Sequence, residues 1–221
     1  MFRLNNIKMV VFDMAGTTIN EGGIVYKTLK DTLFRHNIYY TEDEFNKFHG
    51  VSKKQVLTHF IEKDNSKVPV DTAYHWFKNE LKHNYFNSDN LKVMDGAFTL
   101  FNRLRKDDIK VCLNTGYSRD IAEHILDNVG IEIGVHIDDL ITSSEVPLGR
   151  PAPYMLYQLM IVHDIAPSCV AKVGDTVMDI REGQNAHVKY QIAVLSGADD
   201  RDTLAKEGPH LIVDSVKDLI W

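Results

Sequence analysis

With 221 residues, the chain is long enough for one sizeable core, or for a core that carries a smaller insert. Its 44% apolar and 25% charged residues are ordinary for a globular protein, and a formal net charge of -6 with scattered basic residues argues against a nucleic-acid surface. No run approaches the ~20 apolar residues needed to span a bilayer. The N-terminal apolar stretch stops at Asp13 with no small-residue cleavage site behind it, and Cys112 and Cys169 read as buried free thiols. These features predict a cytoplasmic protein with no membrane or nucleic-acid partner.

In chain order, Ile7–Phe12, Lys110–Asn114, Cys169–Val173, Tyr190–Val194 and His210–Val213 read as buried strands, with Leu140–Thr142 a weaker sixth. Between them, Ala97–Lys106, Arg119–Val129, Tyr154–His163, Asp179–Ala186 and Arg201–Lys206 carry the 3.6-residue period of helices. Strand and helix alternating at this spacing predict an α/β fold, a Rossmann-like parallel sheet covered on both faces. Ligands in such sheets sit beyond the carboxyl ends of the strands.

From about residue 21 to 88 the pattern is helical only: Val25–His36, Thr41–Phe48, Lys53–Glu62 and Asp71–Tyr85. Thr41-x-x-Glu44 has the form of a capping box. Tyr74, Phe77, Leu81 and Tyr85 line one helix face and read as the core of a small bundle. We therefore expect an inserted α-helical cap at 21–88 and a catalytic core made of 1–20 and 89–221.

Four segments at strand ends could carry chemistry. Asp13 closes the first strand and is followed by Gly16-Thr17-Thr18, where a carboxylate could attack phosphorus while N–H groups and hydroxyls hold its oxygens. Thr115-Gly116-Tyr117 closes the second, with a hydroxyl for a phosphate oxygen and a glycine for close approach. Arg150 sits in the Pro-rich Gly149-Arg150-Pro151, where a stiff loop could aim a cation. Asp175 and Asp179 stand four apart at the end of the next strand, a pairing suited to Mg²⁺. Singly, each has an ordinary explanation: a turn, a helix cap, a surface arginine, a dipole-stabilising acid. The ordered set is harder to explain away.

That set resembles the haloacid dehalogenase superfamily of aspartyl-nucleophile hydrolases, over nearly the whole chain. The resemblance implies a Rossmann-like core with a cap inserted after the first motif, Asp13 as nucleophile, and Thr115 and Arg150 as phosphate-binding catalytic residues. It further implies Mg²⁺ held by Asp13, Asp175, Asp179 and the backbone carbonyl of Ala15. Most phosphatases of the superfamily place a second Asp, the leaving-group acid, where this chain has Ala15. Loss of a general acid costs ~10²–10⁴-fold, so ordinary ester hydrolysis and phosphate shuttling are disfavoured.

Breaking a C–P bond instead needs an electron sink, which a lysine imine on a neighbouring carbonyl supplies. Asp13-x-Ala15-Gly16-Thr17-Thr18, Thr115-Gly116-Tyr117, Gly149-Arg150-Pro151 and Gly174-Asp175-Thr176-x-x-Asp179-x-x-Glu182-Gly183 resemble the phosphonatase (phosphonoacetaldehyde hydrolase) family. That family's Met-Gly-x-x-Lys segment corresponds here to His49-Gly50-Val51-Ser52-Lys53, which makes Lys53 the candidate imine former. Gly116, Tyr117 and His49 are then substrate-binding candidates. The chain departs from the family at His49, where a methionine is usual, and at Val56, where a cap histidine is usual. The resemblance also implies a small phosphorylated or phosphonate substrate and a homodimer formed through the caps. Two alternatives stand beside C–P cleavage: a phosphomonoester phosphatase of phosphoglycolate type, and a non-catalytic relative that binds a phospho-ligand. The remaining histidines lack metal-ligand spacing.

Overall fold

The computed structural model describes residues 5–86 and 91–219. Six strands form one parallel sheet. They are β1 (Met9–Asp13), β4 (Lys110–Thr115), β5 (Asp139–Thr142), β6 (Val170–Gly174), β7 (Tyr190–Val194) and β8 (Leu211–Val213), in the order β5-β4-β1-β6-β7-β8. The weak sixth strand of the sequence reading is β5, at the edge. β1 lies centrally between β4 and β6, and all five of its residues are buried, as a strand covered on both faces requires.

The alternation of β1 divides the core. Val10 and Phe12 point into the larger apolar cluster, with Leu113 of β4 and with Phe101 and Leu104 of α5 (Ala97–Lys106); Ile121 and Ile125 of α6 (Arg119–Val129) complete that side. The Phe12 and Phe101 rings lie 5.5 Å apart. Met9 and Val11 point to the other face, against Met155, Leu156 and Leu159 of α7 (Tyr154–His163). A third small cluster joins Ile180 of α8 (Val177–Asn185), Ala193 of β7 and Leu204 of α9 (Arg201–Ala205).

Helix α8 begins two residues earlier than its periodicity predicts. Thr176 caps it, accepting from the Asp179 N–H while Asp179 accepts from the Thr176 N–H. Cys112 is a buried thiol on β4, whereas Cys169 precedes β6 and is only half-buried; both are free.

Four helices lie between two very short strands, β2 (Ile19–Asn20) and β3 (Lys92–Val93), which pair antiparallel. A two-residue strand is too short to show a period, so the sequence carries no sign of this ribbon. The helices are α1 (Ile24–Arg35), α2 (Glu42–Asn46), α3 (Lys53–Lys63) and α4 (Val70–Phe86). The expected segment boundary at 88/89 lies outside the described residues. Only half of the expected capping box forms at α2: the Thr41 hydroxyl accepts from the Glu44 N–H, but the Glu44 carboxylate turns to His59 and Lys63.

α4 packs on α1 and α3, with Phe77 and Leu81 buried against Leu29, Leu33, Leu57 and Phe60. These residues are continuous with the larger sheet-face cluster, so the helical insert and the sheet share one apolar core. Among the described residues no helix is long and apolar enough to cross a membrane. Because Leu81 is fully buried in that shared core, Leu81→Ala is expected to cost about 3 kcal/mol, read as a lower midpoint in urea denaturation.

Candidate active site

The carboxyl ends of β1, β4 and β6 meet the insert around a small cavity of about 20 Å³, lined by Asp13, Lys53, Thr115, Tyr117, Arg150 and Asp175 among others. Ala15 and Gly116 also line it. A space of that size holds little more than one water. His49 is not among its lining residues. It lies in a neighbouring cleft, where Nδ1 is 2.8 Å from the Asp199 carboxylate and the ring packs on Tyr26. His49 thus makes a contact between insert and core.

Arg150 ties the site together. It is 2% exposed. Its Nη1 lies 2.6 Å from Asp13 Oδ1 and 3.1 Å from Asp179 Oδ1, Nη2 donates to both oxygens of Asn114 at 2.7 Å, and Nε donates to Glu182 at 3.0 Å. Burial alone would weaken its hold on the proton, but Asp179, Asp13 and Glu182 outweigh burial and push its pKa up. One oxygen of Asp13 is thus held, which fixes the carboxylate's orientation. Burial raises the Asp13 pKa and Arg150 opposes that rise.

A second buried cation, Lys172, escaped sequence reasoning. Its Nζ contacts Asp179 Oδ1 at 2.8 Å and Asn114 Oδ1 at 2.7 Å. The signal was present, since a lysine in the middle of an otherwise apolar strand must find a partner. Glu182 and Asn114 were missed as well. Asp179, expected as a metal ligand, has one oxygen on Lys172 and Arg150 and the other on Thr176. Those cations hold its pKa below the usual range against burial.

Asp175 is different. It accepts from the Thr17 hydroxyl at 2.9 Å and from the Ala198 N–H at 2.8 Å, and no ion pair to it is found among the described residues. Burial and the charges of Asp13 and Asp179 push its pKa well above the usual range. The Thr17 hydroxyl, expected to meet phosphate, is spent here, and that of Thr18 is spent on the Asp13 carbonyl at 2.8 Å.

On the sheet side of the cavity, four buried carboxylates (Asp13, Asp175, Asp179, Glu182) face two buried cations (Arg150, Lys172). That surplus negative charge, next to an acid with no counter-charge, fits a divalent cation. The donors are hard oxygens. Among the described residues no three or more His, Cys, Asp or Glu side chains form a cage, and Mg²⁺ characteristically uses one or two carboxylates plus water and phosphate oxygens.

The insert brings Lys53 to the same cavity. It is the first residue of α3, and its N–H donates to the Gly116 carbonyl at 3.4 Å. The preceding loop sits tightly on the core. Gly50 has φ +77°, and a Cβ there would collide with Thr176; a Cβ on Gly116 would lie 3.0 Å from the Val51 carbonyl. Glycine at both positions lets the two loops touch.

The Lys53 ammonium lies over the rings of Tyr26 and Tyr117, at 5.2 and 5.5 Å from their centroids, and donates to the Val51 carbonyl at 3.2 Å. Burial lowers its pKa to about 8, with Asp13 opposing and Arg150 assisting. Val56 is buried in the apolar core. Thr115 is buried in the cavity wall, and its hydroxyl accepts from the Tyr117 N–H at 3.3 Å.

Behind Tyr117 stands a polar array that the sequence did not reveal. The Tyr117 and Tyr85 hydroxyls are 2.7 Å apart, and Tyr85 donates to Glu21 at 3.2 Å. The aromatic stripe on α4 is core at Phe77 and Leu81, but at Tyr85 it reaches the site.

Removing Lys172 leaves Asp179 and Glu182 buried with one cation fewer. Lys172→Met is expected to cost about 3–5 kcal/mol, seen as a lowered denaturant midpoint.

The model for haloacid dehalogenase-like hydrolases matches residues 7–187. A phosphonoacetaldehyde hydrolase of Parabacteroides distasonis is 33% identical over 184 residues, which cover 71% of this chain and 67% of that protein. The bifunctional phosphonoacetaldehyde hydrolase/aminoethylphosphonate transaminase of Clostridioides difficile is 29% identical over 96% of this chain, which spans only 35% of that longer protein. Among solved structures, a phosphonoacetaldehyde hydrolase-like protein from Oleispira antarctica superposes with a TM-score of 0.82 at 21% identity, covering 99% of this chain and 91% of that one, a likeness of fold. With the family match extending across most of the sheet and its site, the chain belongs to the haloacid dehalogenase-like hydrolases, as a phosphatase-type hydrolase with phosphonatase-like relatives.

Proposed function

We propose that the chain cleaves the C–P bond of a small phosphonate carrying an adjacent carbonyl, with Lys53 forming an imine and Asp13 taking the phosphoryl group. The observation that carries this reading is the burial of Lys53 in the same cavity as Asp13 and Arg150, with its pKa lowered to about 8. A solvated lysine at a helix start would have neither property. The names of the relatives point the same way.

Neutral Lys53 attacks the carbonyl and, after loss of water, holds the substrate as an imine. Asp13, oriented by Arg150, attacks phosphorus in line with the C–P bond. The bonding pair passes into the imine to leave an enamine, so no proton need reach the leaving group at that moment. This removes the need for the acid that Ala15 lacks, whereas a phosphomonoester would still require it. Water then hydrolyses the aspartyl-phosphate; the enamine is protonated on carbon, and hydrolysis of the imine frees Lys53. Arg150 and Thr115 spread the charge on the phosphoryl oxygens. Mg²⁺, when bound by Asp13, Asp175 and the Ala15 carbonyl, would supply the remaining positive charge there. The insert serves as a cap that keeps bulk water from the imine.

Three results test this reading. Borohydride added during turnover of phosphonoacetaldehyde should fix a substrate-derived adduct on Lys53, located by peptide mapping; good turnover of phosphate esters with no adduct would sink it. Asp13→Asn should lose at least ~10³-fold in phosphate release yet still form the adduct. Since Lys53 must be neutral to attack and its pKa is depressed, the rate of adduct formation should rise with pH and level off above about 8.

A further inference from the structure

Imine formation moves protons as well as carbon and nitrogen. An ammonium must give up one proton before it attacks, and the carbinolamine must receive one before its hydroxyl can leave as water. Lys53 is 6% exposed, so bulk solvent reaches its amine poorly. Val56, one helical turn after Lys53, is apolar and buried and offers nothing.

An array of exchangeable groups begins beside Lys53 at Tyr117, whose ring the ammonium faces. The ring of Tyr117 lies 5.5 Å from Lys53 Nζ, its hydroxyl is 2.7 Å from that of Tyr85, and Tyr85 is 3.2 Å from Glu21 Oε2. The N–C–O unit of a carbinolamine spans roughly 2.4 Å, and a hydrogen bond adds roughly 2.8 Å. Together they span roughly 5.2 Å, enough for a carbinolamine on Lys53 to extend toward the Tyr117 side of the cavity.

We propose that Glu21, acting through the hydroxyls of Tyr85 and Tyr117, is the proton store for imine formation at Lys53. The proposal rests on the imine reading above. The Glu21 carboxylate takes the proton that Lys53 must lose, by a concerted shift along the two hydroxyls. Lys53 adds to the carbonyl, and one of its two remaining protons passes to the new oxygen. The stored proton then returns along the hydroxyls to that oxygen. The C–O bond breaks with its pair going to water, and nitrogen, keeping one proton, forms the iminium. Nothing is consumed, and Glu21 ends as the carboxylate it began.

The surroundings of Glu21 suit a group that gains and loses a proton. It is 6% exposed. Burial raises its pKa; the Val25 N–H at 2.8 Å, the Tyr85 hydroxyl, the charge of Lys53 and the Gly23 N–H lower it. Lys53 itself is faced by Asp13, Arg150, Glu21 and Asp175, and by the rings of Tyr26 and Tyr117. Glu21 also borders a cleft of about 160 Å³, shared with Ala15, Gly23, Tyr26, Met94 and Asp175. Glu21 is a positioning and proton-holding residue rather than one that touches substrate.

The test is the rate of borohydride trapping of phosphonoacetaldehyde on Lys53, measured against pH. Glu21→Gln and Tyr85→Phe keep the volumes and are each expected to slow trapping about 10²-fold. In both variants the wild-type rise toward a plateau near pH 8 should give way to a fall with rising pH, because protons must now come from solution. In Glu21→Ala, formate admitted through the cleft should restore trapping in a concentration-dependent way. Wild-type rates in the variants would overturn the proposal. So would slower trapping with an unchanged pH profile and no rescue by formate, which marks a structural role. A wild type that forms no adduct overturns the imine reading and the proton store with it.

Discussion

The guanidinium of Arg150 spends its nitrogens on groups from three elements: Asp13 at the end of β1, Asn114 on β4, and Asp179 and Glu182 on α8. Each contact is almost fully removed from water. Isolated burial of such a charge would be prohibitive, so the guanidinium can be buried only if all its partners are present together. The consequence runs outward. Asp13 is oriented because Arg150 holds it, Asp179 is ionised because Arg150 and Lys172 surround it, and Asp175 is left as the acid without a counter-charge. The vacancy in charge that suits a divalent cation is therefore created by where the protein's own cations have already been used.

The insert adds the opposite property. Where the sheet side of the cavity is crowded with ions, the insert contributes Tyr26 and a lysine that has no carboxylate in hydrogen-bond contact among the described residues. Desolvation without a close counter-ion lowers a lysine's pKa, and Lys53 moves to about 8 for that reason. The Asp13 carboxylate and the Lys53 amine thus line one small space, each set in a different environment. The shared apolar cluster beneath α1, α3, α4 and the sheet keeps the two sides in register.

The contacts of His49 belong to the same arrangement. His49 clamps to Asp199, which in turn accepts from the Val177 N–H at the start of α8. The loop that carries Lys53 is thereby tied to the helix that carries Asp179. The insert is held to the sheet by polar contacts as well as by apolar packing.

The sequence alone determined the parallel sheet, the helices between β2 and β3 and the placing of Asp13, Thr115 and Asp175 at or just past strand ends, because each depends on local pattern. A buried strand such as β1 shows its apolar run, and a polar residue that closes it is read from position. Lys53 was singled out only through the resemblance of His49-Gly50-Val51-Ser52-Lys53 to the phosphonatase segment. What only the tertiary structure decided are pairings between residues far apart in the chain. Lys172 finds Asn114 from 58 positions away, Tyr85 meets Glu21 from 64 and Tyr117 from 32, and the Thr17 hydroxyl is taken by Asp175 from 158. Tyr85 illustrates the physical reason. Its apolar ring obeys the helical period and reads as core, but the destination of its hydroxyl depends on which distant chain segment folding has brought within hydrogen-bond reach.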